Sequence, residues 1–98
     1  MQINVVGRHL TLTAEMEQYA TDRAAKLPHY LDRVQQVDVV IDREGSDFAC
    51  EYHVDVAGHS DFIAKAHDHE LTTCIDKAHD KAVRQLHDWK SRLRDDHH

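Results

Sequence analysis

Structural punctuation is scarce in this chain: its 98 residues include one proline, three glycines and two cysteines. No apolar run approaches the roughly 20 residues of a helical membrane span. The opening MQINVVGRHL lacks the basic start and long apolar middle of a secretory signal, so a cytoplasmic protein is expected. Cys50 and Cys74 lie far apart, each in the apolar register of its own element, which predicts buried free thiols rather than a disulfide or a metal pair. There is no glycine-rich phosphate loop, no GxSxG elbow and no paired-cysteine zinc pattern. No motif therefore places a nucleophile beside a base, and neither an enzyme nor a cofactor is expected. Positive charge is in short supply too: 12 Lys and Arg stand against 18 Asp and Glu, a formal charge of −6. Phosphate binding is driven by cations that release counterions, so the total argues against a nucleic-acid partner.

The distribution of charge reverses that argument. From Asp38 to Glu70 nine acids face only Arg43 and Lys65, whereas from Leu71 to Arg94 the bases Lys77, Lys81, Arg84, Lys90, Arg92 and Arg94 outnumber Asp76, Asp80 and Asp88. The second stretch is also the most regular in the chain. Leu71, Cys74, Ile75, Ala78, Ala82, Leu86, Trp89 and Leu93 recur every three or four residues, the stripe of a core-facing helix of about six turns. Projected at about 100° per residue, Lys77, Lys81 and Arg84 share a solvent-side arc of roughly 60°. Such a ridge is either a solvated face laced by Asp80 and Asp88 or a polyanion-binding surface.

The remaining elements follow in order. MQINVVG reads as a short strand ended by Gly7. Thr13 is placed to cap a helix whose apolar stripe is Met16, Ala20, Ala24, Leu27 and Leu31, with Tyr19 and Tyr30 at the margin. Pro28 predicts that the main helix stops near Leu27 and that a short helical turn follows. Val37, Val39 and Ile41 form one face of a second strand, the turn Glu44 to Asp47 follows, and Phe48 to Val56 alternates cleanly as a third. A fourth runs from about Asp61 to His67, with Phe62, Ala64 and Ala66 on one face and Ile63, Lys65 and His67 on the other. Strand, helix, three strands, helix predicts an α+β, two-layer sandwich with both helices on one face of a four-stranded sheet. The last three strands are expected to pair antiparallel through hairpins, and the first to pair with the second in parallel across its helix. One domain over residues 1–94 with a polar tail at 95–98 accounts for the length.

Ten histidines raise a metal or pH question. The best metal candidate is HDHE, where His67 and His69 are expected to share a strand face with Glu70 nearby, although zinc needs about four placed ligands and this spacing fixes two. His53, His79 and His87 are expected on the surface. The polyanion reading gains from Arg23, Lys26 and Arg33, which would border one groove with Lys77, Lys81 and Arg84 if the helices pack side by side. A two-helix basic face suits a structured RNA read by shape. Tyr30 and Trp89 are candidates for stacking on bases, Trp89 being expected in the core.

MQINVVG, AKLPHYLDRV from Ala25 to Val34, and DKAVRQL from Asp80 to Leu86 resemble the ribosome hibernation-promoting factor family, which includes ribosome-associated inhibitor A. The resemblance spans nearly the whole chain and implies a β-α-β-β-β-α fold like that of double-stranded-RNA-binding domains. It implies a translation inhibitor of stress or stationary phase that binds small-subunit ribosomal RNA in the channel used by messenger and transfer RNA. A separate ribosome modulation factor is an implied partner of this short form, and DNA and membranes are not. Position by position, the resemblance points to Lys26, Lys81, Arg84, Lys90 and Arg92 as RNA-binding residues, with Arg23 and Lys77 as charge-compatible additions. The chain departs from the usual family pattern at Pro28, at Leu71 and Thr72, and at Asp88, which lies one turn from both Arg84 and Arg92. The competing reading is a histidine-rich metal- or pH-responsive interaction module on the same fold that no longer binds ribosomes.

Overall fold

Period-two alternation sets the sheet and period-3.6 alternation sets the layer above it. The computed structural model describes residues 1–29, 32–59 and 61–95, the last three by backbone alone. The expectations placed on Tyr30, Leu31, the side chains of Leu93 and Arg94, and His97 and His98 lie outside the described residues. Strand β1 (Gln2–Arg8) is followed by helix α1 (Ala14–Ala24), a 3₁₀ turn (Leu27–His29), strands β2 (Val34–Glu44), β3 (Asp47–Val56) and β4 (Phe62–Asp68), and helix α2 (Leu71–Asp95). The sheet order is β1-β2-β3-β4, with β1 parallel to β2 and the other two pairs antiparallel. Helix α1 packs over β1 and β2, and α2 over β3 and β4, so both cover the same face.

That face is the core. Val37, Val39 and Ile41 of β2, Cys50, Tyr52, Val54 and Val56 of β3, and Ala64 and Ala66 of β4 are buried against Ala20, Ala24 and Leu27 below one helix and Cys74, Ile75, Ala78, Ala82 and Leu86 of the other. The small residues of α1 and β4 let the helices approach the sheet closely, and the larger side chains of β2, β3 and α2 fill the volume. Cys50 and Cys74 are free, buried thiols, and burial pushes the Cys50 thiol up to about 12.

The element ends differ from the sequence expectation in four places. Gly7 lies inside β1, where a Cβ would stand 2.9 Å from the Leu10 carbonyl oxygen and 3.1 Å from Leu12 Cγ. It is needed for clearance, because the segment after the strand folds back across it. Helix α1 stops at Ala24 rather than Leu27: Pro28 cannot donate to the Ala24 carbonyl, and the chain tightens through Lys26 N–H to Arg23 O (3.1 Å) and His29 N–H to Lys26 O (3.1 Å). The β2–β3 turn closes on Gly45 and Ser46 alone, with Gly45 at φ +65°. Helix α2 takes in Asp95, the first residue of the expected tail. The Thr13 cap is as expected, its hydroxyl accepting from Met16 N–H at 3.2 Å.

Candidate nucleic-acid interface

Helix α2 is fastened to the outer edge of β4 by the same side chains that make up its basic ridge. Asp68 accepts from Glu70 N–H at 2.9 Å, forming the turn that starts the helix, and its other oxygen accepts from Lys77 Nζ at 2.6 Å. The Lys77 ammonium and the Glu70 amide together hold the Asp68 carboxyl below its usual range. One turn on, Lys81 Nζ donates to the Lys65 carbonyl at 2.7 Å, and Gln85 Nε2 donates to the Ile63 carbonyl at 2.9 Å. These two carbonyls belong to an edge strand, and capping them removes acceptors that another strand would otherwise find.

On its other flank α2 meets α1 through a polar cluster. Tyr19 Oη donates to Asp76 Oδ1 at 2.6 Å, and Arg23 donates to the same oxygen through Nε at 3.0 Å and Nη2 at 2.8 Å. Partial burial works against the charged carboxylate, but the Tyr19 and Arg23 hydrogen bonds prevail and hold the Asp76 carboxyl below its usual range. Beneath this cluster His79 and Tyr52 meet edge to face at 5.8 Å, and among the described residues neither Tyr52 Oη nor His79 Nδ1 has a hydrogen-bond partner.

The expected groove is therefore corrected. Lys77 and Lys81 lean toward the β4 edge, away from α1, while Arg23 turns inward to Asp76. The two residues with the weakest motif support, Arg23 and Lys77, are the ones with carboxylate partners. Lys81 spends one hydrogen bond on a neutral carbonyl and keeps an exposed charge. Lys26, Arg84, Lys90 and Arg92 are exposed and form no ion pair with another described residue. Asp88 is exposed and pairs with neither Arg84 nor Arg92, and Asp80 forms no ion pair either, so the lacing expected of a merely solvated ridge is missing among the described residues.

The histidines divide. His53 lies on the outer sheet face beside Glu51 at 2.9 Å, and His87 is exposed. His79, expected at the surface, is 4% exposed: the helix turns it toward Tyr52, under the α1 contact. His67 leaves β4 on its outer face near Glu44 (3.4 Å) and Asp47 (3.9 Å), whereas His69 follows the strand's end and neighbours Asp68 at 3.4 Å. His67 and His69 thus do not share a strand face, because β4 stops at Asp68. Among the described residues no three His, Cys, Asp or Glu side chains form a group that could hold a metal ion.

Sequence reasoning missed the Tyr19–Arg23–Asp76 cluster and the ring contacts at the far end of α2. The signals were present: Tyr19 and Arg23 lie four apart on the margin of α1, and Asp76 is an acid at the start of a basic helix. Trp89, expected in the core, is partly buried at the core's end, with Phe62 at 5.8 Å and His59 at 4.8 Å between ring centroids.

Comparison with known proteins fits this arrangement of elements. Residues 3–94 match the family described as Sigma 54 modulation protein / S30EA ribosomal protein. The chain is 32% identical over 94 residues to the ribosome hibernation promoting factor of Escherichia coli (strain K12), covering 96% of this chain and 98% of that protein. It is 26% identical over 92 residues to the factor of the same name from Pseudomonas putida (strain KT2440), covering 94% and 89%. Its fold is similar to the N-terminal domain of Thermus thermophilus Protein Y, at a TM-score of 0.82 and 28% identity over 91% of this chain and 99% of that one. A ribosomal subunit interface protein from Coxiella burnetii shares the fold at a TM-score of 0.85 and 15% identity, over 93% and 99% of the two chains. On the match across nearly its whole length, the chain belongs to the Sigma 54 modulation protein / S30EA ribosomal protein family.

Proposed function

We propose that this protein is a ribosome hibernation factor that acts in the cytoplasm, binding ribosomal RNA of the small subunit in the channel used by messenger and transfer RNA. Occupancy of that channel silences translation with no bond made or broken. Lys81, Arg84, Lys90 and Arg92 along α2, with Lys26 beyond the end of α1, supply the phosphate contacts; Arg23 and Lys77 act at one remove, holding α2 to α1 and to β4. A separate modulation factor is the expected partner where ribosomes are paired in stress or stationary phase.

The observation that carries this reading is the row Lys81, Arg84, Lys90 and Arg92 on α2, exposed and without carboxylate partners among the described residues, in a chain of formal charge −6 where acids are abundant. Exposed ion pairs add little to stability, and cations without carboxylate partners stay available to the phosphates of a polyanion. Ribosome co-sedimentation tests it. Wild-type protein is expected to pellet with small subunits at low salt, and Lys81→Glu with Arg84→Glu to remain in the supernatant with an unchanged circular dichroism spectrum. Equal pelleting of the double variant would remove the assigned face.

A further inference from the structure

Helix α2 buries one ionisable ring beneath the clasp that joins it to α1. His79 is 4% exposed, its Nδ1 has no hydrogen-bond partner among the described residues, and the Tyr52 ring of β3 lies against it. The clasp converges on a single oxygen: Tyr19 Oη stands 2.6 Å from Asp76 Oδ1, and the Arg23 guanidinium reaches the same atom at 3.0 and 2.8 Å. Asp76 precedes His79 by three residues, on the same side of the helix. Around the ring and its clasp stand Tyr19, Arg23 and Lys26 from α1 and the turn after it, Tyr52 from β3, and Asp76 and Asp80 from α2 itself.

A proton on His79 makes both ring nitrogens donors and sets a second cation beside Asp76. One carboxylate does not offset two cations where water is excluded, and the two differ in freedom. His79 is packed between the helix and Tyr52, whereas Arg23 keeps 30% of its side chain exposed and approaches Asp76 from the surface. We propose that His79 and Arg23 compete for Asp76, so that a proton on His79 releases the Arg23 guanidinium to an RNA phosphate beside Lys26. Arg23 opposes the charged ring and Asp76 favours it, as two cations sharing one carboxylate must, and Asp76 is held below its usual range and so stays ionised while a histidine titrates. The exposed acids nearest the pair in sequence are Asp22, which already accepts from Gln18 Nε2 at 2.7 Å, and Asp80; exposed carboxylates hold arginine weakly, so neither replaces Asp76. The inference rests on the RNA-facing reading and adds its regulation. At neutral pH Arg23 stays in the clasp; on acidification it joins the phosphate contacts. Linkage gives the reverse as well: a phosphate that draws Arg23 away raises the affinity of His79 for its proton, so binding takes up a proton and tightens as pH falls.

The test follows the Arg23 Nε–H and the His79 ring by nuclear magnetic resonance in the full-length protein, from about pH 7.5 to about pH 5, with Arg23→Gln and His79→Leu assigning the two signals. The Arg23 signal is expected to stand apart from those of exposed arginines at the upper pH and to move toward them with the same midpoint as the His79 ring. In His79→Leu it is expected to stay apart throughout. An Arg23 signal that holds still while the ring titrates, a ring that takes up no proton in this range, equal movement in His79→Leu, or loss of the folded spectrum before Arg23 moves overturns the exchange. Small-subunit co-sedimentation across a range of salt then reads the consequence. Between the two ends of the pH range the salt slope of the wild type is expected to grow by about one unit more than that of His79→Leu, which keeps every other histidine, and Arg23→Gln to abolish the excess. Equal growth in wild type and His79→Leu overturns the phosphate contact. Protein that pellets while Arg23 holds still loses the exchange and keeps the ribosome reading. Protein whose Arg23 moves but which never pellets does the reverse.

Discussion

His79 is the one polar side chain buried among the described residues, and it faces charged groups from two elements. Tyr52 of β3 lies against its ring; Arg23 and Lys26, in and just beyond α1, oppose its protonation, and Asp76 and Asp80 of its own helix favour it. Burial is the largest influence and, with Arg23, holds its pKa below the ordinary histidine value. The neutral ring is thus the folded form, whereas the unfolded chain takes up a proton near pH 6.5. Stability from this residue is full above that pH and is lost as pH falls through and below it. In thermal melts the wild type should lose stability between about pH 7 and pH 5 more steeply than His79→Leu, which cannot take up that proton. Parallel curves would remove His79 as the source. Gly7 is the second residue with a single physical reason. Gly7→Ala should cost about 1–3 kcal/mol in chemical denaturation, because its methyl meets a backbone carbonyl at 2.9 Å, and an unchanged midpoint would show that the loop yields freely.

Among the elements, β2, β3 and α2 were the most legible in the sequence and α1 the least. Long alternation in Phe48 to Val56 admits one strand, and eight stripe residues over about six turns admit one helix. Boundaries failed where a neighbour, not the segment itself, decides. Gly7 looks like a strand end until Leu10 and Leu12 are seen crossing it, and α1 ends early because of a proline four residues on. The flank of α2 on which a cation stands was likewise invisible. Helical projection puts Lys77, Lys81 and Arg84 on one arc, but only the packing of α2 beside edge strand β4 turns Lys77 to Asp68 and Lys81 to the Lys65 carbonyl. His79 was misplaced for the same reason, since its position lies on the side of α2 that α1 covers.

At the scale of the molecule, the outer sheet face and helix α2 differ in the sign of charge that predominates. The outer sheet face carries Asp38, Asp42, Glu51 and Asp55, partly offset by Asn4 on Asp38, His9 on Asp42, and His53 and Lys65 on Glu51. Helix α2 carries the exposed cations Lys81, Arg84, Lys90 and Arg92. A net charge of −6 therefore coexists with a surface suited to polyanions, and the acidic sheet opposes binding in any other orientation. The sequence composition announced the asymmetry; which cations are spent internally required the fold.

The central claim, that α2 meets RNA phosphates through Lys81 and its neighbours, is tested most directly by the salt dependence of small-subunit binding. Affinity measured across a range of potassium chloride should fall linearly on logarithmic axes for the wild type. Lys81→Ala should reduce that slope by about one unit, the loss of one phosphate contact. Lys77→Ala should leave it nearly unchanged, because Asp68 already holds that ammonium. An affinity indifferent to salt, or equal slopes for the wild type and Lys81→Ala, would contradict the account.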